Sequence, residues 1–172
     1  MYKIDDIISY GIKGVCKIVA IEQKQVNNEC IDYYVLRSVF DSETTLYIPI
    51  NNSNLTSRMK NIPSLDELHA LIKSIPTIET IWIENTNKRT EAYKKIIDDG
   101  EEIKLIQLIK TLKVQRQKLD KDKKRLSLSD ENLYKAAKKR LYDGFAVTLD
   151  IKPSEVPSFI SEQLKINEAM NL

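Results

Sequence analysis

His69 is the only histidine in the chain, and the two cysteines, Cys16 and Cys30, have no further cysteines clustered beside them. Such a set suggests neither a disulfide scaffold nor a zinc ribbon, and it leaves His69 as a surface residue on a helix beside Leu68 and Leu71. Cys16 falls in an apolar alternating segment and reads as a small core residue. The acidic pairs Asp98-Asp99 and Glu101-Glu102 flank Gly100 and read as helix-end and helix-start solvation, not as a catalytic dyad. Gly11-Ile12-Lys13-Gly14 lacks the length and the Lys-Ser/Thr ending of a phosphate-binding loop. No catalytic residue, metal site, cofactor or small-molecule substrate is therefore expected. An enzyme is the remote reading, and hydrolase activity lost on replacing Asp98, Asp99 or His69 would revive it.

The chemistry that remains is recognition. Before Ser64 seven basic residues face seven acidic ones. From Lys110 to Arg125 the balance shifts: Lys110, Lys113, Arg116, Lys118, Lys121, Lys123, Lys124 and Arg125 face only Asp120 and Asp122. Lys135, Lys138, Lys139 and Arg140 form a second cluster. Such runs supply an electrostatic footprint for phosphate, and they also occur as solvated helix ends.

These residues need a scaffold. A chain of 172 residues with 42% hydrophobic content can fill one large core or two small ones. Its pI of about 8.4 decides little. No run of about eighteen apolar residues and no secretory leader pattern is present, so a soluble, cytoplasmic protein without membrane contact is expected.

The first part alternates with the period of strands. Ile7-Ile8-Ser9-Tyr10 suits a strand, and Gly11 and Gly14 bracket a tight turn where positive φ is cheap. Strands are expected again at Val15–Ile21, Ile31–Arg37 and Thr44–Ile50, the last stopped near Pro49 and the turns falling at Asn27-Asn28-Glu29 and Asp41-Ser42-Glu43. Four or five short strands of this kind suit a small SH3-like or Tudor-like β-barrel.

After Pro63 the pattern becomes helical. Ser64 and Glu67 form a capping box ahead of Leu68, Leu71, Ile72 and Ile75, and Pro76 ends that helix. A second helix should start near Asn85 or Asn87 and stop at Gly100. A third, from Glu101, carries an apolar stripe too wide to face water and should be central. A fourth opens at Ser127 or Ser129 and runs through Leu133, Ala137, Leu141, Phe145 and Leu149, with Asp130 and Glu131 near its positive end. Lys152-Pro153-Ser154 breaks it, Ser154 caps a last helix, and the tail after Asn167 is expected to fray.

Ser9-Tyr10-Gly11-x-x-Gly14-Val15, Tyr33-Tyr34-Val35-Leu36-Arg37 and Thr45-Leu46-Tyr47-Ile48-Pro49 closely resemble the RNA polymerase-interacting domain of the CarD family of bacterial transcription regulators. A related domain occurs in transcription-repair coupling factors. Trp82-Ile83-Glu84-Asn85, Lys88-Arg89, Tyr93-Lys94-Lys95-Ile96, Gly100, Leu126-Ser127, Asp130 and Leu133 extend the resemblance into the helical half, as far as Glu155-Val156.

The resemblance implies an α+β chain of two domains: a Tudor-like polymerase-interacting domain at 1–55, a linker and linker helix at 56–76, and an all-α, DNA-binding bundle at 77–172. It implies two partners, the RNA polymerase β subunit and promoter double-stranded DNA at the upstream edge of the bubble. Polymerase contacts would fall on the edge strand, at Thr45, Leu46, Tyr47 and Ile48, and on Lys24. Tyr47 stands where some family members carry arginine, and otherwise reads as an ordinary cross-strand aromatic.

DNA contacts would fall on Lys88 and Arg89, which match the family's basic pair, with Lys123, Lys124 and Arg125 from the basic run. The family wedges a tryptophan into the minor groove at the start of the second helix. Counted back from Gly100, that position is Thr86, and Trp82 lies four residues earlier. Trp82 either reaches the groove from there or packs over Ile81 and Ile83. Two further readings stand beside this one: a polymerase-bound protein-interaction adaptor without direct DNA contact, and a nucleic-acid-binding barrel acting without polymerase.

Overall fold

The computed structural model describes residues 1–41 and 43–170, with Ile12 and residues 167–170 described through their backbone alone. Ser42, at the centre of the expected third turn, and the last two residues of the tail expected to fray lie outside the described residues. Among the described residues the chain forms a five-stranded antiparallel sheet and then a set of helices.

The strands are β1 (Ile7–Tyr10), β2 (Val15–Val26), β3 (Glu29–Ser38), β4 (Thr45–Pro49) and β5 (Met59–Asn61), in the spatial order β4-β3-β2-β1-β5. Gly11 and Gly14 sit at φ +45° and +75°, so the turn between β1 and β2 needs the residues it has. At the β2–β3 hairpin Asn27 and Asn28 both take positive φ, the geometry of a two-residue turn that follows the strands' own twist. The register slips between Ile18 and Ala20, leaving Val19 as a bulge.

Two expectations change here. The sheet does not close: among the described residues no ladder joins β4 to β5, so both remain edges rather than neighbours in a barrel. The sheet also runs beyond residue 55, because β5 pairs with β1 and buries Met59 against Ile8, Ile18 and Leu36. A three-residue strand has too little sequence for a period to show.

The helices are α1 (Ser53–Thr56), α2 (Leu65–Ser74), α3 (Thr86–Asp99), α4 (Glu102–Lys121), α5 (Leu128–Leu149) and α6 (Val156–Met170). The Ser64–Glu67 capping box is present, and donation from the Ser64 backbone and hydroxyl holds the Glu67 carboxyl below its ordinary range. Asn85 caps α3, whose end falls at Gly100 in the left-handed region, and Ser127 caps α5. Ser154 does not cap α6. It lies inside a 3-10 turn, Pro153–Glu155, which leads directly into Val156.

Apolar side chains gather into two clusters. One lies under the sheet, around Ile8, Cys16, Ile18, Tyr34, Leu36 and Ile48. The other joins α2 to α6, with Tyr93, Leu108, Leu112 and Phe145 fully buried. Leu68 and Ile72 belong to this second cluster, so the helix expected as a linker is part of the helical core. The two halves meet where the Gly11–Lys13 turn lies against α3 and α5: a Cβ on Gly14 would come within 2.9 Å of Asp143 Oδ2. Thr148 Oγ1 also donates to the Pro63 carbonyl at 2.6 Å.

Candidate functional site

β4 is an edge strand, and its hydrogen-bond parity fixes what it offers. Ser38 N–H donates to the Thr44 carbonyl at 3.2 Å and Ile50 N–H to the Asp32 carbonyl at 2.9 Å. The register pairs Leu36 with Leu46 and Tyr34 with Ile48, positions in phase with those bonds. Thr45 and Tyr47 are out of phase, so their N–H and C=O groups point away from β3 toward the open edge. Side chains alternate with them: Ile48 is buried and Leu46 half-buried under the sheet, whereas Thr45 and Tyr47 are exposed.

Lys24 joins this edge from two strands away. Its Nζ lies 3.3 Å from the centre of the Tyr47 ring, and it faces Glu22 more distantly at 3.9 Å. The pair therefore places a cation and an aromatic face beside the bare backbone groups, although Lys24 and Tyr47 are far apart in sequence. Tyr47 is 44% exposed, so the ring is open to a partner.

In the helical half the expected DNA residues separate. Thr86 and Lys88 are exposed on the first turn of α3. Arg89, expected to contact phosphate beside Lys88, is instead only 5% exposed. Its Nε and Nη2 donate to Asp130 Oδ1 and Oδ2, both at 3.0 Å, while Nη1 donates to the carbonyls of Ile83 and Glu84. Helical geometry turns adjacent residues about 100° apart, which is why one member of the basic pair faces water and the other faces α5. Trp82 is half-buried against the helical cluster, and the Arg89 guanidinium lies 4.2 Å from its ring centre.

The basic run separates too. Lys110 Nζ donates to the carbonyls of Ile75, Pro76 and Ile78, pinning the 3-10 turn that follows α2. Arg116 is bidentate to Glu131 and lies over Tyr134. Lys113, Lys118, Lys121, Lys123, Lys124 and Arg125 remain exposed. Lys123 takes φ +56° at the end of α4, where its N–H and that of Lys124 close the helix onto Asp120 and Leu119.

Leu128 is a large apolar side chain that the sequence left unplaced. It is 79% exposed at the first position of α5, immediately after this basic loop, and Ser129 Oγ approaches Thr90 Oγ1 of α3 at 3.5 Å. The signal was there: Leu128 falls outside the Leu133, Ala137, Leu141 stripe and so has no place in the core.

Two buried ionic groups belong to the framework. Arg140 is 3% exposed and lies across Gly100, with Nη1 donating to the carbonyls of Ile97 and Asp98; burial lowers its pKa to about 10. Asp143 accepts from Lys139 at 2.6 Å, yet burial holds its carboxyl above the usual range. The Cys16 thiol, buried beneath the sheet, is pushed up to about 11 by desolvation, while Cys30 is exposed. Among the described residues no three His, Cys, Asp or Glu side chains gather as a metal site, and no helix is long and apolar enough to cross a membrane.

The chain thus pairs an antiparallel sheet, with a bare edge flanked by an aromatic ring, with a helical half that carries an exposed cationic loop. Residues 2–61 match the family model of the CarD-like/TRCF RID domain. The N-terminal part of the chain is therefore a CarD-like RNA polymerase-interacting domain of the type shared with transcription-repair coupling factors, and the protein is transcription-related. The match ends at β5, where the sheet ends. No curated protein matches the chain.

Proposed function

We propose that this protein regulates transcription by docking on the RNA polymerase β subunit through β4 and by holding promoter DNA at the upstream edge of the bubble with its helical half. The observation that carries the reading is the outward aim of the Thr45 and Tyr47 backbone groups on the matched domain. A strand of the partner added there gains main-chain hydrogen bonds, and Lys24 with Tyr47 supplies side-chain selectivity. In this reading the units are the sheet and the bundle, with DNA met by Thr86, Lys88, Lys123, Lys124 and Arg125. Leu128, exposed at the start of α5 three residues after Arg125, offers an apolar tip for a base step, whereas Trp82 is half-buried against the helical cluster with the Arg89 guanidinium over its ring.

Contacts made mainly with melted DNA shift the closed-to-open equilibrium by their differential affinity and by no more, about tenfold for every 1.4 kcal/mol. The test is the lifetime of open complexes formed by the cognate polymerase. Wild type should lengthen it, Thr45→Pro should abolish the effect by removing an outward N–H, and K124E/R125E should reduce it while polymerase binding persists. Polymerase binding with an unchanged lifetime would replace this reading with the adaptor. The adaptor draws its support from the internal engagement of Arg89, Lys110 and Arg116, which leaves fewer free cations than the sequence advertises.

A further inference from the structure

We infer that the groove between α4, α5 and α6 is a docking site for an acidic amphipathic helix of a partner protein, a surface separate from both the β4 edge and the basic loop. The groove encloses about 560 Å³, within the range of sites that seat ligand groups or side-chain anchors. Its floor is apolar, with Ile106 and Ile109 from α4, Leu141 from α5 and Ile160 and Leu164 from α6.

Its charge is of one sign. Three lysines, Lys110, Lys113 and Lys138, line it, and none of its lining residues is acidic. Lys110 is held by the carbonyls of Ile75, Pro76 and Ile78 in the turn after α2, but neither Lys113 nor Lys138 has a carboxylate partner among the described residues. Lys138 Nζ lies 5.0 Å from the Tyr134 ring centre and 5.6 Å from that of Tyr142. Both tyrosines line the groove beside this ammonium, so the cation sits on an aromatic wall.

Length selects the occupant. The α4 wall runs from Ile106 to Gln117, which at 1.5 Å per residue is about 16 Å, or three turns. A three-turn helix presents apolar anchors at i, i+3 or i+4 and i+7 along one face, with carboxylates beside them to meet Lys113 and Lys138. A partner with apolar anchors alone would leave both ammonium groups desolvated without a counter-charge, and a basic one would add repulsion.

The inference is tested with fluorescein-labelled peptides of about four helical turns: one rich in glutamate with leucines at i, i+3 and i+7, a second with those leucines changed to serine, and a third with glutamates changed to lysine. Anisotropy against the full chain should show binding of the first and at least tenfold weaker binding of the other two. K113E/K138E should weaken the first peptide at least tenfold with an unchanged melting temperature. Ser161→Trp, which fills the groove without altering its charge, should do the same, while K124E/R125E should leave binding as it was. Equal binding by the lysine peptide, or unaltered binding by a folded K113E/K138E, would overturn the inference. So would sodium laurate occupying the groove more tightly than the peptide, which would assign it to a small anionic amphiphile. Neither polymerase nor DNA enters this assay, so its outcome is independent of the transcription reading.

Discussion

Arg89 of α3 and Asp130 of α5 form a buried, bidentate ion pair that ties together the starts of the two helices. The carboxylate is 2% exposed and also accepts from the Ser127 hydroxyl at 2.8 Å, so the cap of α5 and the anchor of α3 share one group. The remaining Arg89 donor fixes the carbonyls that lead into α3. Arg89→Ala should cost about 3–5 kcal/mol by leaving Asp130 charged, buried and unpaired. Arg89→Lys should not restore the loss, since an ammonium cannot reproduce the fork. Urea denaturation measures both, and a cost below about 1 kcal/mol for either would contradict the pairing. Lys88→Ala, by contrast, should leave stability within about 0.5 kcal/mol of wild type.

Lys123 combines a cation with a strained backbone. Lys123→Gly relieves the left-handed strain, worth about 1–2 kcal/mol, against a smaller gain of chain entropy in the unfolded state. The net expectation is a stabilisation of about 0.5–1 kcal/mol in thermal denaturation, together with weaker DNA binding. If DNA is bound as proposed, the salt dependence of affinity should fall by about one unit for each of Lys88, Lys123, Lys124 and Arg125 removed. An unchanged slope for all four would remove DNA from the proposal.

Asp143 makes stability depend on pH in the direction opposite to most carboxylates. Its folded-state pKa is raised by burial, so its stabilising contribution is present below the ordinary carboxylate range and lost as pH rises through the raised value. Asp143→Asn should therefore raise the melting temperature at pH 7 relative to wild type, and the difference should shrink toward pH 4. The partner Lys139 is largely solvated and can release its ammonium to water, so it does not cancel the gain.

The two thiols should react differently. Cys30, exposed near the β2–β3 turn, should be alkylated within minutes at pH 8, while Cys16, buried and held up to about 11, should react only on unfolding. Mass spectrometry of the labelled peptides distinguishes them. Rapid labelling of Cys16 would mean that the sheet opens far more readily than its packing allows.

By itself the sequence determined most of the local structure, because the signals are local. Glycines at positive φ mark the first turn, Ser64, Asn85 and Ser127 cap their helices, and Gly100 ends α3, all within a few residues of the bonds they make. The polymerase-interacting domain was legible for the same reason, from short runs on consecutive strands. Tertiary structure decided what no local pattern encodes: that the sheet stays open, that β5 completes it, and that Lys24 meets Tyr47 across two strands. It also decided which cations are free. A guanidinium or ammonium looks alike in sequence whether it ends in water or on an internal acceptor, and only the approach of α5 to α3 buried Arg89 on Asp130, and that of α4 to the turn after α2 engaged Lys110 with its carbonyls, while Lys88 and the loop after α4 stayed in water.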